Sequence, residues 1–125
     1  MLHRIFKMTS VLTLSFVVMG LFVAPKSADA QVTAFKQAVA EAAARDIDIA
    51  AFYQAYGYKS VWTGRSSRER SRRRALIKTL ANASSHGLPA GRYDSAGLQA
   101  KMKAARGPRE RGTVEVEISR VFLQY

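Results

Sequence analysis

The sequence has 125 residues, no cysteine, and 20 Lys and Arg residues against 9 Asp and Glu residues, which gives a formal net charge of +11. The length predicts one small domain. The absence of cysteine excludes disulfides, a thiol nucleophile and cysteine-containing zinc sites, and the two histidines are too few for a histidine cluster, so we expect neither a metal nor a cofactor.

Residues 1–30 have the three-part pattern of an export signal. A cationic start precedes an apolar run over 8–24. Ala28 and Ala30 place small residues where a signal peptidase requires them, which predicts cleavage before Gln31 and a periplasmic location. The alternative is an uncleaved membrane anchor, but the apolar run is shorter than the roughly 20 residues of a spanning helix.

Residues 31–125 hold 17 basic and 8 acidic residues. A balance of this kind favours anionic partners, which for an exported chain means peptidoglycan, lipopolysaccharide or lipid head groups; a nucleic-acid partner is not expected outside the cytosol. The spacing of apolar residues and breakers predicts a mainly α domain of four to five helices, with a short extended segment around Val61 and Trp62.

The first predicted helical region spans 32–56. Asp46 or Asp48 could cap a second helix near Ile49, which would make the region two helices with a bend. Gly57 ends it, because glycine accepts positive φ without penalty. Trp62 is the sole tryptophan, and we expect it to anchor the core; stacking on a sugar ring is the alternative.

The next helix has conflicting start signals. Ser66 and Glu69 form a Ser-x-x-Glu capping box, which predicts a start at Ser67. Five arginines between 68 and 74 would crowd positive charge at the positive end of the helix dipole, so we expect a frayed start and a firm helix from about Arg73. These arginines spread around the cylinder and define no single basic face. Four of them are candidate anion contacts: Arg70, Arg72, Arg73 and Arg74.

Clear stop signals follow. Gly87 fits the C′ position, with Leu88 folding back on Ala83 in a Schellman motif. His86 favours the negative end of the helix dipole, which explains it without a ligand role. Asp94 predicts the cap of the following helix.

The last segment fits two templates. Residues 114–118 alternate as a strand would, but a helical stripe explains more apolar residues over a longer stretch, so we expect a helix from Pro108 or Arg109. The stripe reaches Tyr125 without a stop signal, which we interpret as an incomplete gene product.

The sequence offers no catalytic constellation. The carboxylate pairs Asp46/Asp48 and Glu115/Glu117 are spaced i, i+2 and diverge by about 200° on a helix. No glycine-rich phosphate loop occurs. We therefore expect no catalytic, cofactor-binding or metal-binding residue.

Three separated segments occur in an order typical of a known family. They are Ile49 to Tyr58 leading to Val61-Trp62-Thr63, then Ala75-Leu76 leading to His86-Gly87-Leu88-Pro89 and Tyr93, then Glu115 to Tyr125. Together they resemble the N-terminal scaffold domain of the large periplasmic murein L,D-transpeptidases of Gram-negative bacteria. The resemblance covers about 47–125.

The resemblance implies a helical module that supports a peptidoglycan-binding region and a transpeptidase domain with a cysteine nucleophile. That catalytic half is absent here, so no catalytic residue carries over. The matching positions are interpreted as structural: Tyr53, Trp62, His86, Gly87, Leu88 and Tyr93.

Two functional hypotheses remain. The first is a non-catalytic, truncated scaffold fragment involved in peptidoglycan cross-linking and cell-wall remodelling, whose partners are peptidoglycan or a missing C-terminal transpeptidase domain. The second is a stand-alone basic envelope module that binds peptidoglycan or lipopolysaccharide by charge. Contact with a membrane is expected only through the signal segment.

Overall fold

Residues 27–125 are the part of the chain that the computed structural model describes. They form five α-helices and two short 3-10 turns, so the mainly α prediction of four to five helices is confirmed. No strand occurs in this part of the chain. The helices are α1 Ala28–Ala43, α2 Ile47–Ala55, α3 Ser67–Ala81, α4 Ser95–Ala104 and α5 Pro108–Gln124, and the 3-10 turns are Ala83–His86 and Ala90–Arg92.

The predicted signal segment lies largely outside the described residues, which begin at Ser27. The predicted cleavage residues Ala28, Ala30 and Gln31 occupy the exposed first turn of α1, where the Ser27 side chain accepts a hydrogen bond from the Ala30 N–H (3.2 Å). Among the described helices, none is both long enough and apolar enough to span a bilayer.

The helices α1 and α5 pack closely because a glycine lies at their contact. A Cβ built on Gly112 would come within 2.7 Å of both the Ala38 Cβ and the Phe35 carbonyl oxygen. At the two sides of this contact, Arg109 pairs with Glu41 (2.7 Å) and the Arg120 guanidinium donates to the Ala42 carbonyl. The close backbone approach therefore depends on the missing side chain at position 112.

The second helix begins and ends at the predicted signals. Asp46 caps it, since its carboxylate accepts from the Ile49 N–H (3.1 Å). Gly57 has φ +68° and Tyr58 has φ +55°, so two successive left-handed residues turn the chain away from the helix. A left-handed tyrosine is uncommon, and a hydrogen bond from its N–H to the Tyr53 carbonyl (2.8 Å) holds it.

The core consists of two apolar clusters that share α5. One lies between α1, α2 and α5, and the other between the Trp62 segment, α3, α4 and α5. The helix α5 therefore joins the two halves of the domain. The first cluster contains Val39, Ala43, Ile49, Tyr53 and Val116; the second contains Trp62, Leu76, Leu80, Ala83, Tyr93, Leu98, Val114 and Ile118.

The expectation of a frayed start to α3 is wrong. The helix begins at Ser67 and its capping box is complete: the Ser66 hydroxyl accepts from the Glu69 N–H (3.2 Å), and the Glu69 carboxylate accepts from the Ser66 N–H (3.1 Å). The arginines do not prevent the helix from starting here, because several reach back to carbonyl oxygens of the preceding segment, 61–65, whose dipoles stabilise the guanidinium charges.

The carboxyl of Glu69 is held ionised in this arrangement. Partial burial pushes its pKa upward, but hydrogen bonds from Ser60 and Ser66 and the nearby charge of Arg73 outweigh that effect and leave the pKa below its usual range. A negative charge at the first turn of α3 then offsets the cations that follow it.

Replacing Ser66 with alanine is expected to lower the free energy of unfolding by about 1 kcal/mol, because the Glu69 N–H then loses its acceptor. Chemical denaturation followed by the fluorescence of Trp62 measures this. Ser67→Ala is the matched control, since Ser67 is exposed and is the first helical residue. Equal effects of the two changes would contradict the role of the capping box.

The end predicted for α3 at Gly87 is wrong, because the Asn82 N–H donates to the Thr79 carbonyl (3.1 Å), which tightens the last turn and ends the α-helix at Ala81. A separate 3-10 turn, Ala83–His86, follows, and the predicted signals at Gly87 and Asp94 have the expected geometry. Gly87 has φ +75°, its N–H donates to the Ser84 carbonyl, and the Leu88 N–H donates to the Ala83 carbonyl (3.1 Å each), which is a Schellman motif closing the 3-10 turn. Asp94 caps α4 through the Gly97 N–H (2.8 Å).

The last segment is a helix, as the longer periodicity predicts. It begins at Pro108, and the Glu110 carboxylate accepts from the N–H groups of Arg106 (2.7 Å) and Gly107 (3.0 Å). These hydrogen bonds hold the pKa of Glu110 below its usual range.

Candidate functional site

A fully buried carboxylate lies at the centre of the domain. Glu115, in the middle of α5, has no exposed surface. Its Oε1 accepts from the Tyr53 hydroxyl (2.9 Å) and the Val61 N–H (2.6 Å). Its Oε2 accepts from the Thr63 N–H (2.8 Å) and the Thr63 hydroxyl (2.7 Å). The Trp62 N–H is shared between both oxygens, at 3.0 and 3.2 Å.

This arrangement explains the helix-free segment around Val61 and Trp62. The residues form bends and not a strand, since three successive N–H groups point to one carboxylate, whereas successive N–H groups of a strand alternate in direction. Burying an ionised carboxylate is costly unless hydrogen bonds replace its water. Here five protein donors replace the water, and residues 61–63 fold around the Glu115 side chain.

The hydrogen bonds to Glu115 also limit its chemistry. A general acid or base needs a lone pair or proton that faces a substrate. Both oxygens of Glu115 are turned to protein donors and are closed from solvent. The arrangement is therefore suited to holding a loop in place and not to proton transfer.

Ser119 lies one turn after Glu115 and extends the same network. Its hydroxyl oxygen accepts from the Trp62 indole N–H (2.9 Å) and lies 2.8 Å from the Tyr53 hydroxyl oxygen. Trp62 is only 4% exposed, and its ring lies 5.4 Å from that of Phe122. Tyr53 and Trp62 are thus both fixed to one face of α5.

The phenol of Tyr53 is held in its neutral form. Burial raises its pKa first, and the negative charge of Glu115 raises it further. The unfolded chain releases this proton near the ordinary tyrosine pKa of about 10, while the folded chain keeps it. Above about pH 10 the folded state binds more protons than the unfolded state, so the free energy of unfolding falls as pH rises. Below about pH 10 both states hold the proton, and the contribution of Tyr53 to stability is complete.

We therefore expect the free energy of unfolding to fall more steeply above pH 10 in the natural chain than in Tyr53→Phe. The phenylalanine variant is expected to be less stable by about 1 to 2 kcal/mol at pH 7, because the Glu115 carboxylate loses a donor. Denaturation at pH 7 to 11, followed by the fluorescence of Trp62, tests both statements. Parallel pH profiles of the two proteins would contradict the assignment.

A second group of the residues that carry the family resemblance lies at the C-terminal end of α5. The Tyr93 hydroxyl donates to the Gln124 carbonyl (2.9 Å), and the Tyr93 ring lies 5.3 Å from that of Tyr125. The His86 Nδ1 contacts the Tyr125 hydroxyl. Gly87 provides the left-handed turn, and Leu88 packs against the core cluster of Trp62. These residues dock the 83–93 segment onto the last turn of α5.

The candidate anion contacts are only partly available to an anion. Arg72 donates to the Val61 carbonyl (2.6 Å), and its guanidinium lies 5.9 Å from the centre of the Trp62 ring. Arg73 donates to the Trp62 and Gly64 carbonyls, and Arg70 donates to the Arg65 carbonyl. The Arg74 side chain is exposed and makes no hydrogen bond to another residue within 27–125. Arg72 and Arg73 therefore hold the carbonyl groups of the Trp62 segment, whose N–H groups are held by Glu115.

Sequence spacing gave Glu115 only as part of a diverging pair with Glu117, and it did not single out Ser119. The pair does diverge: Glu117 points outward to Lys101. A signal for Glu115 was present, since on a helix its position falls between Val114 and Ile118 on one side and Val116 on the other, inside the apolar arc.

The described residues contain no group of three His, Asp or Glu side chains able to hold a metal ion. Neither the curated proteins nor the solved structures provide a match to this sequence. A family model described as a Scaffold domain matches residues 47–125, which is more than half of the chain and includes the Glu115 network. The chain therefore belongs to the Scaffold domain family.

Proposed function

We propose that the chain is the non-catalytic scaffold of a murein L,D-transpeptidase and acts in peptidoglycan cross-linking. The observation that carries the proposal is the Scaffold domain match over residues 47–125, which includes the segments on which the resemblance to these enzymes is based. In such enzymes a scaffold supports a separate transpeptidase domain, and a partner of that kind would supply the chemistry.

The chemistry of the chain agrees with a supporting role. The sequence has no cysteine, so it cannot supply the thiol that attacks the peptide stem. The buried polar groups of Tyr53, Glu115 and Ser119 are used for internal hydrogen bonds. These hydrogen bonds fix a loop to the central helix α5. A supporting module needs this kind of rigidity.

A periplasmic location is part of the same proposal. The signal pattern of residues 1–30, with Ala28 and Ala30 before Gln31, supports export. Cleavage there would remove Ser27, the cap of α1, and would leave the helix from Gln31 onward with its contacts to α5. N-terminal sequencing of the chain recovered from the periplasm tests this, and a chain that retains Met1 in the membrane fraction would contradict it.

The functional test uses a strain that lacks L,D-transpeptidases. The full chain is expressed alone, a transpeptidase catalytic domain is expressed alone, and both are expressed together; 3→3 cross-linked muropeptides are then measured by chromatography. We expect these cross-links to increase only when both are present. Cross-linking by the chain alone, or a yield from the catalytic domain that the chain leaves unchanged, would contradict the proposal.

Matched variants sharpen this test. Glu115→Ala disrupts the central network, and Glu117→Ala changes an exposed residue of the same helix. If the folded scaffold is what supports the catalytic domain, the first variant is expected to abolish the increase in cross-links and the second to preserve it.

The second candidate function is that of a basic envelope module. The observation that favours it is the charge of 17 basic against 8 acidic residues after position 30. Retention on purified sacculi should then fade with added salt, because exposed charges are screened beyond about 10 Å at 0.1 M ionic strength. Retention that salt leaves unchanged would count against this function.

A further inference from the structure

Two clefts on the surface meet at the Trp62 segment. The first, of about 400 Å³, lies between α3 and α4, and we call it the α3–α4 cleft. The second, of about 550 Å³, lies beside the start of α1, and we call it the α1 cleft. Thr63 and Arg111 line both of them. The two clefts are therefore adjacent, and together we call them the depression.

The charge of this depression is of one sign. Five cationic side chains line the α3–α4 cleft, and no carboxylate residue is among the described residues that line either cleft. Two carboxylates lie next to lining residues, Glu69 beside Gly64 and Glu115 beneath Thr63, and both are already hydrogen bonded within the domain. The cationic residues are Arg70, Arg73, Arg74, Lys103 and Arg111 in the α3–α4 cleft, with Lys36, Lys59 and Arg65 added in the α1 cleft.

The junction of the clefts is fixed from below by the central network. Thr63 is bound to Glu115 through its N–H and its hydroxyl. Arg111 precedes Glu115 by one turn on α5, and Arg73 is bound to the carbonyls on either side of Thr63. The middle of the depression is thus preformed, which reduces the entropy that a ligand must overcome on binding.

We propose that the α3–α4 cleft and the α1 cleft form one groove that binds an elongated glycan carrying carboxylate or phosphate groups. The proposal rests on the second candidate function and names its site. A single small anion can lie in only one of the two clefts, whereas an elongated ligand with spaced anionic groups can meet cations in both. Guanidinium groups match both carboxylate and phosphate geometry.

The lining of the groove favours a glycan over a nucleic acid. Proteins that bind single strands generally combine a basic groove with open aromatic rings on which bases stack. Phe35 and Tyr58 are the aromatic residues of the α1 cleft, and both pack against the core cluster of Tyr53. The α3–α4 cleft offers Ile77 and Met102 instead, and neither side chain has a ring on which a base could stack.

The test compares two triple variants of the full chain that remove the same charge. R74Q/K103Q/R111Q changes the groove, and R68Q/K78Q/R92Q changes basic residues outside it. Binding to purified sacculi is measured by sedimentation, and circular dichroism checks that both variants are folded. We expect about a tenfold loss of affinity in the groove variant and less than about a twofold loss in the control.

A separate double variant tests whether the groove is continuous. K36Q/K59Q changes only the α1 cleft. If one glycan crosses both clefts, this double variant also weakens binding to sacculi, by about fivefold. Unchanged binding would overturn the single groove.

Further probes separate the ligand classes. Lipopolysaccharide vesicles present phosphate and sacculi present carboxylate, and the groove variant must weaken whichever of the two binds the natural chain more tightly. Equal losses in both triple variants would overturn the groove while leaving charge-driven envelope binding intact. No binding of the natural chain to either polymer would overturn both. Tighter binding to a single-stranded thymidine oligonucleotide would overturn the assignment to a glycan.

Discussion

Replacing Glu115 with alanine is expected to lower the free energy of unfolding by about 4 kcal/mol. The change leaves the N–H groups of residues 61–63 and the Thr63 hydroxyl without their acceptor, and each buried group without a partner costs about 1 to 3 kcal/mol. A domain of this size has about 5 to 15 kcal/mol in total. The variant should therefore unfold at a much lower urea concentration, as seen by the fluorescence of Trp62.

Two further substitutions are expected to have smaller effects on the free energy of unfolding. Glu115→Gln keeps one oxygen acceptor but turns an amide N–H₂ toward N–H donors, so we expect a loss of about 2 kcal/mol. Glu117→Ala removes an exposed pair with Lys101 and should cost no more than about 0.5 kcal/mol. A loss in Glu115→Ala as small as that in the Glu117 control would show that the network does not stabilise the domain.

The second large effect is expected at Gly112. Alanine usually stabilises a helix by about 1 kcal/mol relative to glycine. Here the added Cβ would lie 2.7 Å from a backbone oxygen of α1, so the two helices must move apart. We expect Gly112→Ala to destabilise by about 1 kcal/mol net, and Gly112→Val by about 3 kcal/mol.

The control for Gly112 is Gly91→Ala, because a Cβ at that position meets nothing within 4 Å. We expect its stability to stay within about 0.5 kcal/mol of the natural chain. Thermal unfolding followed by circular dichroism is sufficient to order the three variants. A stabilising effect of Gly112→Ala would show that helix propensity outweighs the close packing of α1 on α5.

The helix boundaries were the part of the fold that the sequence could predict. Asp46, Asp94 and Gly87 act through hydrogen bonds to residues only a few positions away, so their effect can be read from local spacing. The late start expected for α3 was wrong because the contacts that decide it are not local. The carbonyls that accept from Arg72 and Arg73 lie on a loop 11 residues earlier, and no local pattern shows that the loop folds back.

The central network was harder to predict because its partners are distant in sequence. The donors to Glu115 lie 52 to 62 residues before it. Periodicity places Glu115 inside the apolar arc of α5, but it cannot show that a loop, a tyrosine and a serine meet there. The importance of Gly112 could not be predicted for the same reason. Only the three-dimensional position of α1 shows that a Cβ at residue 112 would collide with it.

The groove combines a predicted and an unpredicted part. Arg70, Arg73 and Arg74 were identified from the arginine run, and all three line the α3–α4 cleft. Arg72 was identified with them but lies over Trp62. Lys103 and Arg111 come from α4 and α5, and only the packing of these helices on α3 brings their charges to the same cleft.

The position of Glu115 on α5, after the other four helices, has a consequence for the order of folding. Both core clusters include residues of α5, and the loop at residues 61–63 has its acceptor there. Long-range contacts form slowly because a long loop must close first. A chain emerging from the ribosome would therefore carry its first four helices without a completed core, and folding would finish only when α5 is available.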